Sequence, residues 1–143
     1  MRRRRLIDLL AASYLKRRGV KHMLFSAAVP IVAVDRNLRF TVWNRATEEM
    51  SGVSAGDVLG QRIVDCVPCL ATNGVLARTV SALQGCPSES RHVIRYPQSA
   101  ALILAATTRR PIYAPSGRIE GALSVTRNFR RLPPEMPSCL ADG

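Results

Sequence analysis

The sequence predicts an α+β domain: a five-stranded antiparallel sheet, short helices on one of its faces, and an amphipathic helix at the N-terminus. Three observations predict it. Two β-branched segments, 30–35 and 38–43, flank the turn-forming pair Arg36-Asn37 and read as a hairpin. Three further runs rich in Val, Ile, Leu and Thr follow at 89–96, 101–108 and 118–126, the last two joined by Ala114-Pro115-Ser116-Gly117. Between the two groups lie several short helical patterns, each punctuated by Gly or Pro. Strands and helices in that order pack as a sheet with helices on one side, around a core between them.

Each element has its local reason. Leu6, Leu10 and Tyr14 recur every four residues, with Ile7 and Ala11 beside them, so 6–18 reads as a helix with one apolar stripe that Gly19 stops. Thirteen residues are marginal as a lone helix, so this one is expected to pack on the domain or on a second copy. Asn44 ends the first hairpin and can cap a helix over 45–50, closed at Gly52. Ser54 caps a turn ending at Val58 before Gly60, and a third turn over 63–66 breaks at Pro68. Residues 74–83 form a longer helix with Val75, Leu76, Thr79, Val80 and Leu83 on one face, ended by Gly85.

Composition narrows the function. The 143 residues are 47% hydrophobic, enough for one domain with a real core. The longest apolar run, 100–108, is strand-sized and well short of the roughly 18 residues a membrane-spanning helix needs, so no transmembrane segment is expected. The formal net charge is +11, but 1–22 carries eight basic side chains against Asp8, and the remainder only thirteen against nine. The basic character belongs to the leader, and no helix-turn-helix, zinc-finger or RNA-stacking motif accompanies it. A weak contact with nucleic acid or anionic lipid through residues 2–21 is the corresponding expectation. Met1-Arg2-Arg3-Arg4-Arg5 looks like the start of a secretory peptide, yet Asp8 interrupts the apolar stretch and Lys16-Arg17-Arg18 stands where a small-residue cleavage site belongs. A cytoplasmic protein with reduced thiols is expected.

Several local motifs resemble the PAS domain, the widespread sensory fold. They are Ile31-Val32-Ala33-Val34-Asp35 with Leu38, Val42-Trp43-Asn44-Arg45-Ala46, Glu49-Met50-Ser51-Gly52-Val53 and Asp57-Val58-Leu59-Gly60-Gln61. Pro111-Ile112-Tyr113, Gly117-Arg118-Ile119 and the run from Gly121 to Arg127 resemble that fold's final hairpin. The resemblance covers a PAS-like domain at 24–131; residue pattern and composition add a basic amphipathic helix at 1–23 and a disordered Pro-rich tail at 132–143. Where signalling members carry an Asp-aliphatic-Thr linker, this chain has Asn128-Phe129-Arg130 and then the tail. Output is therefore expected through a partner protein, or the chain is a fragment.

The resemblance implies a stand-alone sensory and protein-interaction module in signal transduction or transcriptional regulation. Its small ligand would lie in a chamber walled by Ile31, Ala33, Trp43, Leu59, Ile63, Val80, Leu104 and Val125, and it would homodimerise through Leu6, Leu10 and Tyr14. An alternative is a redox, metal or iron–sulfur sensor. Cys66-Val67-Pro68-Cys69 has the spacing for disulfide exchange or half a metal site, and Cys86 follows the next helix. Pro68-Cys69 is also similar to the thioester site of photoactive yellow proteins, which bind a coumaroyl group. Trp43 and Thr47, however, stand where that chemistry wants a Tyr and a protonated Glu. Haem would need a His from the long helix, which has none; His92 comes later. The Asn-Cys-Arg-Phe-Leu-Gln run of flavin photosensors is absent. With no nucleophile–base–orienter set and no Gly-rich phosphate loop evident, no catalysis is expected.

Overall fold

The computed structural model describes residues 24–136. The helix expected at 6–18, with Leu6, Leu10 and Tyr14, the basic contact at 2–21, and the end of the tail with Cys139 lie outside the described residues. Within them, the first hairpin is β1 (Ile31–Asp35) and β2 (Phe40–Trp43). Four short helical segments follow: α1 (Arg45–Ser51), α2 (Ala55–Val58), α3 (Ile63–Cys66) and a 3-10 turn (Pro68–Ala71). The longer α4 (Val75–Leu83) leads into β3 (Ser88–Tyr96), β4 (Ala101–Tyr113) and β5 (Ile119–Leu132). The sheet is antiparallel throughout, in the order β2-β1-β5-β4-β3, so the two hairpins join where β1 pairs with β5.

The turns follow their residue chemistry. Asp35 Oδ1 accepts from the backbone N–H groups of Asn37 and Arg39 at 2.8 and 3.1 Å, which tightens the first turn. Leu38 closes that turn with φ 60°, so it precedes β2 instead of beginning it. Its side chain packs against the core and offsets part of the cost of a left-handed backbone. Gly52 ends α1 at φ 70°, its N–H bonded to Glu48 O. Gly121 is required for a different reason: on β5, opposite Asp35, any Cβ would collide with the Val34 carbonyl.

Two strands outrun the sequence pattern. β4 continues through Pro111, whose missing N–H costs nothing because β3 ends opposite Arg109 and leaves that edge unpaired. β5 continues through Asn128, Arg130 and Arg131, which pair with β4 although their composition reads as surface loop. A bulge between Ala106 and Thr107 re-phases the two strands there. Beyond β5 the chain turns back over 133–136, where the carbonyls of Pro134 and Met136 accept from Arg95 Nη2 at 2.8 and 3.2 Å.

The sheet buries both faces. The main cluster lies between the sheet and the helices, with Phe40, Trp43, Met50, Val58, Ile63, Val67, Leu70, Val75, Ile94, Tyr96 and Ile103 at its centre. A second cluster on the opposite face joins Leu24, Ile31, Ala33, Ile112, Leu123 and Val125. Asn44, 1% exposed, stands where β2 becomes α1 and joins the two. Its Oδ1 accepts from the N–H groups of Ile31 and Thr47 at 2.9 and 3.0 Å and from the Thr47 hydroxyl at 2.7 Å. Its Nδ2 donates to the carbonyls of Leu24 and Val29 at 3.0 and 2.8 Å.

Replacing Asn44 by Ala strands several buried backbone groups at once, each worth about 1–3 kcal/mol. Asn44→Ala is expected to cost at least about 3 kcal/mol in urea denaturation. Asn44→Asp, which turns a carboxylate oxygen toward two carbonyls, should recover none of that loss.

Candidate functional site

Sheet and helices enclose a small cavity of about 70 Å³. Its apolar wall is built by Val32, Val34, Phe40 and Trp43 from the first hairpin, by Met50, Ile63, Val67, Leu70 and Val75 from the helices, and by Ile94 and Tyr96 from β3. Trp43 is the centrepiece: its Nε1 donates to Val53 O at 2.9 Å, and its ring meets Phe40 and Tyr96 edge-on at 5.1 and 6.2 Å. Burial, then the neighbouring Cys69, pushes the Tyr96 hydroxyl far above its ordinary range.

The remaining wall is polar and comes from the sheet floor and, at Thr79, from α4. Thr79, Thr107, Arg109, Ser124 and Thr126 line it. Arg109, 2% exposed, lies in a row across the sheet: it pairs with Ser124, Ser124 with Val32, and Val32 with Trp43. Its Nη1 donates to Ser90 Oγ at 2.7 Å. Ser90 Oγ is 2.6 Å from His92 Nε2, and His92 Nδ1 is 2.8 Å from the Asn73 carbonyl. A carbonyl only accepts, so Nδ1 carries the proton in the neutral ring and Nε2 accepts from Ser90. Asn73 itself holds the start of α4, its Oδ1 accepting from Val75 N at 3.0 Å. Burial, then the nearby positive Arg78, lowers Arg109 to about 10.

Of the chamber residues expected from sequence, Trp43 and Ile63 line this cavity. Ile31, Ala33 and Val125 face the other way, into the cluster with Leu24. The reason is phase: Val32 is the residue opposite Trp43, and Ser124 is opposite Val32, so the alternate residues of β1 and β5 point inward. Leu104 lies between Ile103 and Ala105, which face the helices, and so belongs to the opposite face. Val80 is half-buried, off the Val75–Thr79–Ala82 stripe by which α4 meets the core. Leu59 is 43% exposed and borders a larger groove of about 590 Å³ at the β2 edge, with Leu24, Phe25, Val42 and Glu120. Sequence reading missed Arg109, Ser90 and the hydroxyl-bearing floor.

The three thiols do not converge. Cys66 is buried, Cys69 is half-buried with Sγ 3.6 Å from Arg95 O, and Cys86 is exposed beyond the far end of α4. Among the described residues no three His, Cys, Asp or Glu side chains are grouped to hold a metal. Both ring nitrogens of His92 are engaged, so an axial role toward haem would have to break those bonds. Thr47 Oγ1 is within 2.7 Å of Asn44 Oδ1 and 3.1 Å of Ile31 O, and Trp43 Nε1 is spent on Val53, which leaves neither for a coumaroyl phenolate. A cavity of about 70 Å³ is also too small for a flavin ring system.

The family model described as the PAS fold matches residues 19–128, well over half of the chain. The chain belongs to the PAS fold family. No curated protein matches it. Solved structures agree on the fold. A PAS domain from Colwellia psychrerythraea is 22% identical, with a TM-score of 0.63 over 81% of this chain and 97% of that one. An RNA-binding light-oxygen-voltage receptor is 17% identical, with a TM-score of 0.65 over 81% of this chain. A phage VqmA bound to DPO is 21% identical, with a TM-score of 0.63 over 78% of this chain. This PAS chain spans 34% of the light-oxygen-voltage receptor and 51% of the phage VqmA. Among the described residues no helix is long and apolar enough to cross a membrane.

The buried acids give an alkaline signature. A Tyr96 hydroxyl whose folded pKa lies above the ordinary 10 leaves stability untouched below pH 10; above it, the unfolded chain ionises first and stability falls. Arg109, lowered to about 10, acts oppositely in the same window, because the folded state loses its proton before the unfolded chain does. Tyr96→Phe is therefore expected to be more stable relative to wild type at pH 10.5 than at pH 8, as read from paired urea midpoints. Cys66, raised by burial and then by Asp65, should be the last of Cys66, Cys69 and Cys86 to react with a thiol reagent at pH 8, and Cys86 the first.

Proposed function

We propose that this PAS domain is a sensory module: it binds a small ligand between sheet and helices and passes its occupancy to a partner without catalysis, in signal transduction or transcriptional regulation. The observation that carries the reading is the cavity beside Trp43, apolar over most of its wall and polar along one side at Thr79, Thr107, Arg109, Ser124 and Thr126. A filled core needs no such mixed lining, whereas a ligand site uses apolar walls for affinity and a few polar groups for orientation. The ligand-bound and nucleic-acid-bound proteins that share the fold support a regulatory role of this kind. PAS sensory folds are generally non-catalytic. The hydroxyl of Ser90, although hydrogen-bonded to His92, also takes a bond from Arg109, which suits a positioning role.

Output runs through the sheet. Ligand contacts on Val32, Ser124 and Arg109 act on strands whose alternate residues build the outer cluster around Leu24, so a shift of the floor reaches the segment leading back to 6–18. Homodimerisation through that helix and the outer sheet face is the proposed assembly, and the reduced state of Cys66, Cys69 and Cys86 suits a cytoplasmic setting.

Native mass spectrometry of freshly purified protein is expected to show a dimer carrying a small non-covalent adduct that Trp43→Ala loses. A strict monomer in light scattering, unchanged by deleting residues 1–20, removes the assembly. Adduct-free protein whose cavity-lining methyl groups respond to no small molecule in NMR titrations removes the sensor.

A further inference from the structure

We infer that the cavity ligand is a small organic carboxylate whose anionic head pairs with Arg109; this rests on the sensory reading of the same cavity. Three observations carry it. First, Arg109 is buried and borders the cavity, yet its Nε has no hydrogen-bond partner and its sole bond among the described residues is Nη1 to Ser90. A buried guanidinium is ordinarily matched by a carboxylate, because an unpaired charge out of water is costly. No Asp or Glu of the described residues supplies one.

Second, the neighbourhood deepens the deficit. The charge that acts on Arg109 is another cation, Arg78 of α4. Ser88, opposite Arg109 on β3, also has a buried hydroxyl with no partner. An unpartnered Nε on the cavity wall, with an unpartnered hydroxyl and a second positive charge behind it, describes a place for an anion with several acceptor sites.

Third, the guanidinium is held in place. Ser90 accepts from Nη1 and is itself fixed by His92, which Asn73 orients. A hydrogen-bonded chain of this kind keeps a cation from withdrawing into solvent. The opposite wall is aromatic and aliphatic, so the ligand combines a charged head with a short apolar body. A volume of about 70 Å³ limits that body to a few carbon atoms. A carboxylate is preferred to a larger oxyanion because its planar pair of oxygens matches the guanidinium edge bidentately.

The test compares propionate with propionamide, which has the same shape and no charge. Methyl NMR of the full chain follows the shifts of Val32, Ile63 and Ile94 at constant ionic strength. Wild type is expected to bind propionate at least tenfold more tightly than propionamide, and Arg109→Gln to bind the two alike. Arg109→Met, freed of an unmatched buried charge, should melt at or above the wild-type temperature without ligand and gain nothing from propionate. Equal affinity of the wild type for the two probes overturns the carboxylate assignment while leaving the ligand cavity intact. A tenfold preference that survives in Arg109→Gln also overturns it. No response of the lining methyl groups to either probe, in protein that native mass spectrometry shows to be adduct-free, overturns both readings. The wild-type comparison needs no variant and decides the matter even where a substitution unfolds the domain.

Discussion

One side chain ties the architecture together. Asn44 satisfies backbone groups from β1, from α1 and from the segment that enters the domain, all from a position with almost no access to water. Among the described residues no other side chain joins these three pieces by hydrogen bonds. An amide is the side chain for the post, since it accepts on one end and donates on the other, and the site presents N–H groups to one end and carbonyls to the other. The location of the cavity follows. With the end of β2 fixed against the start of β1, Trp43 on the adjoining position is delivered to the helix-facing side, and its indole N–H is bonded to Val53 just past α1. The segment from 24 to 29 is then bound to the same residue that sets the position of the cavity wall.

Much of the fold was legible because its punctuation is chemical. The caps at Asn44 and Ser54, the exits at Gly52 and Gly60 and the turn at Ala114–Gly117 each need particular side chains or none, and each is where the residues placed it. The strand ends were less legible where pairing outweighed composition. Pro111 reads as a break, and is one only where a neighbouring strand needs its N–H; here β3 has already ended. The arginines of β5 read as solvent-facing loop, but β4 goes on pairing with them after β1 has ended opposite Val125, and a strand open on one side accepts polar side chains; Arg131 donates to Glu49 O at 2.7 Å.

The site was harder to read than the fold, for two separable reasons. β1 is apolar at every position from Ile31 to Val34, because each face of the sheet is covered by its own cluster. Alternation then carries no contrast, and only pairing sets the phase; Val32 opposite Trp43 is the fact that sorts the two faces. Arg109 was hidden by a general expectation that charged residues lie outside, which is right for most of the described arginines. The readable trace was the spacing of Ser88, Ser90 and His92, three polar residues at strand period in a segment whose next inward positions are Ile94 and Tyr96. That pattern marks a face that turns from apolar to polar partway along a strand.

Stability and recognition pull in opposite directions on that face. A core with Leu at 109 would pack without an unmatched charge, and by area alone the apolar side chain is worth about 1.5–3 kcal/mol. The folded domain instead keeps a cation whose basicity is lowered by burial and by the nearby Arg78. Ser90, His92 and Asn73 form a chain leading from it to the first turn of α4. Any group that neutralises Arg109 changes how strongly its Nη1 pulls on Ser90, and through that hydroxyl the strength of the bond to His92. The same floor strands carry the outer cluster against Leu24. The charge at the bottom of the cavity is thus coupled by hydrogen bonds to a helix on one side and by strand continuity to the entering segment on the other. A purely apolar ligand would fill the space beside Trp43 and reach neither the hydrogen-bonded chain nor the cation that anchors it.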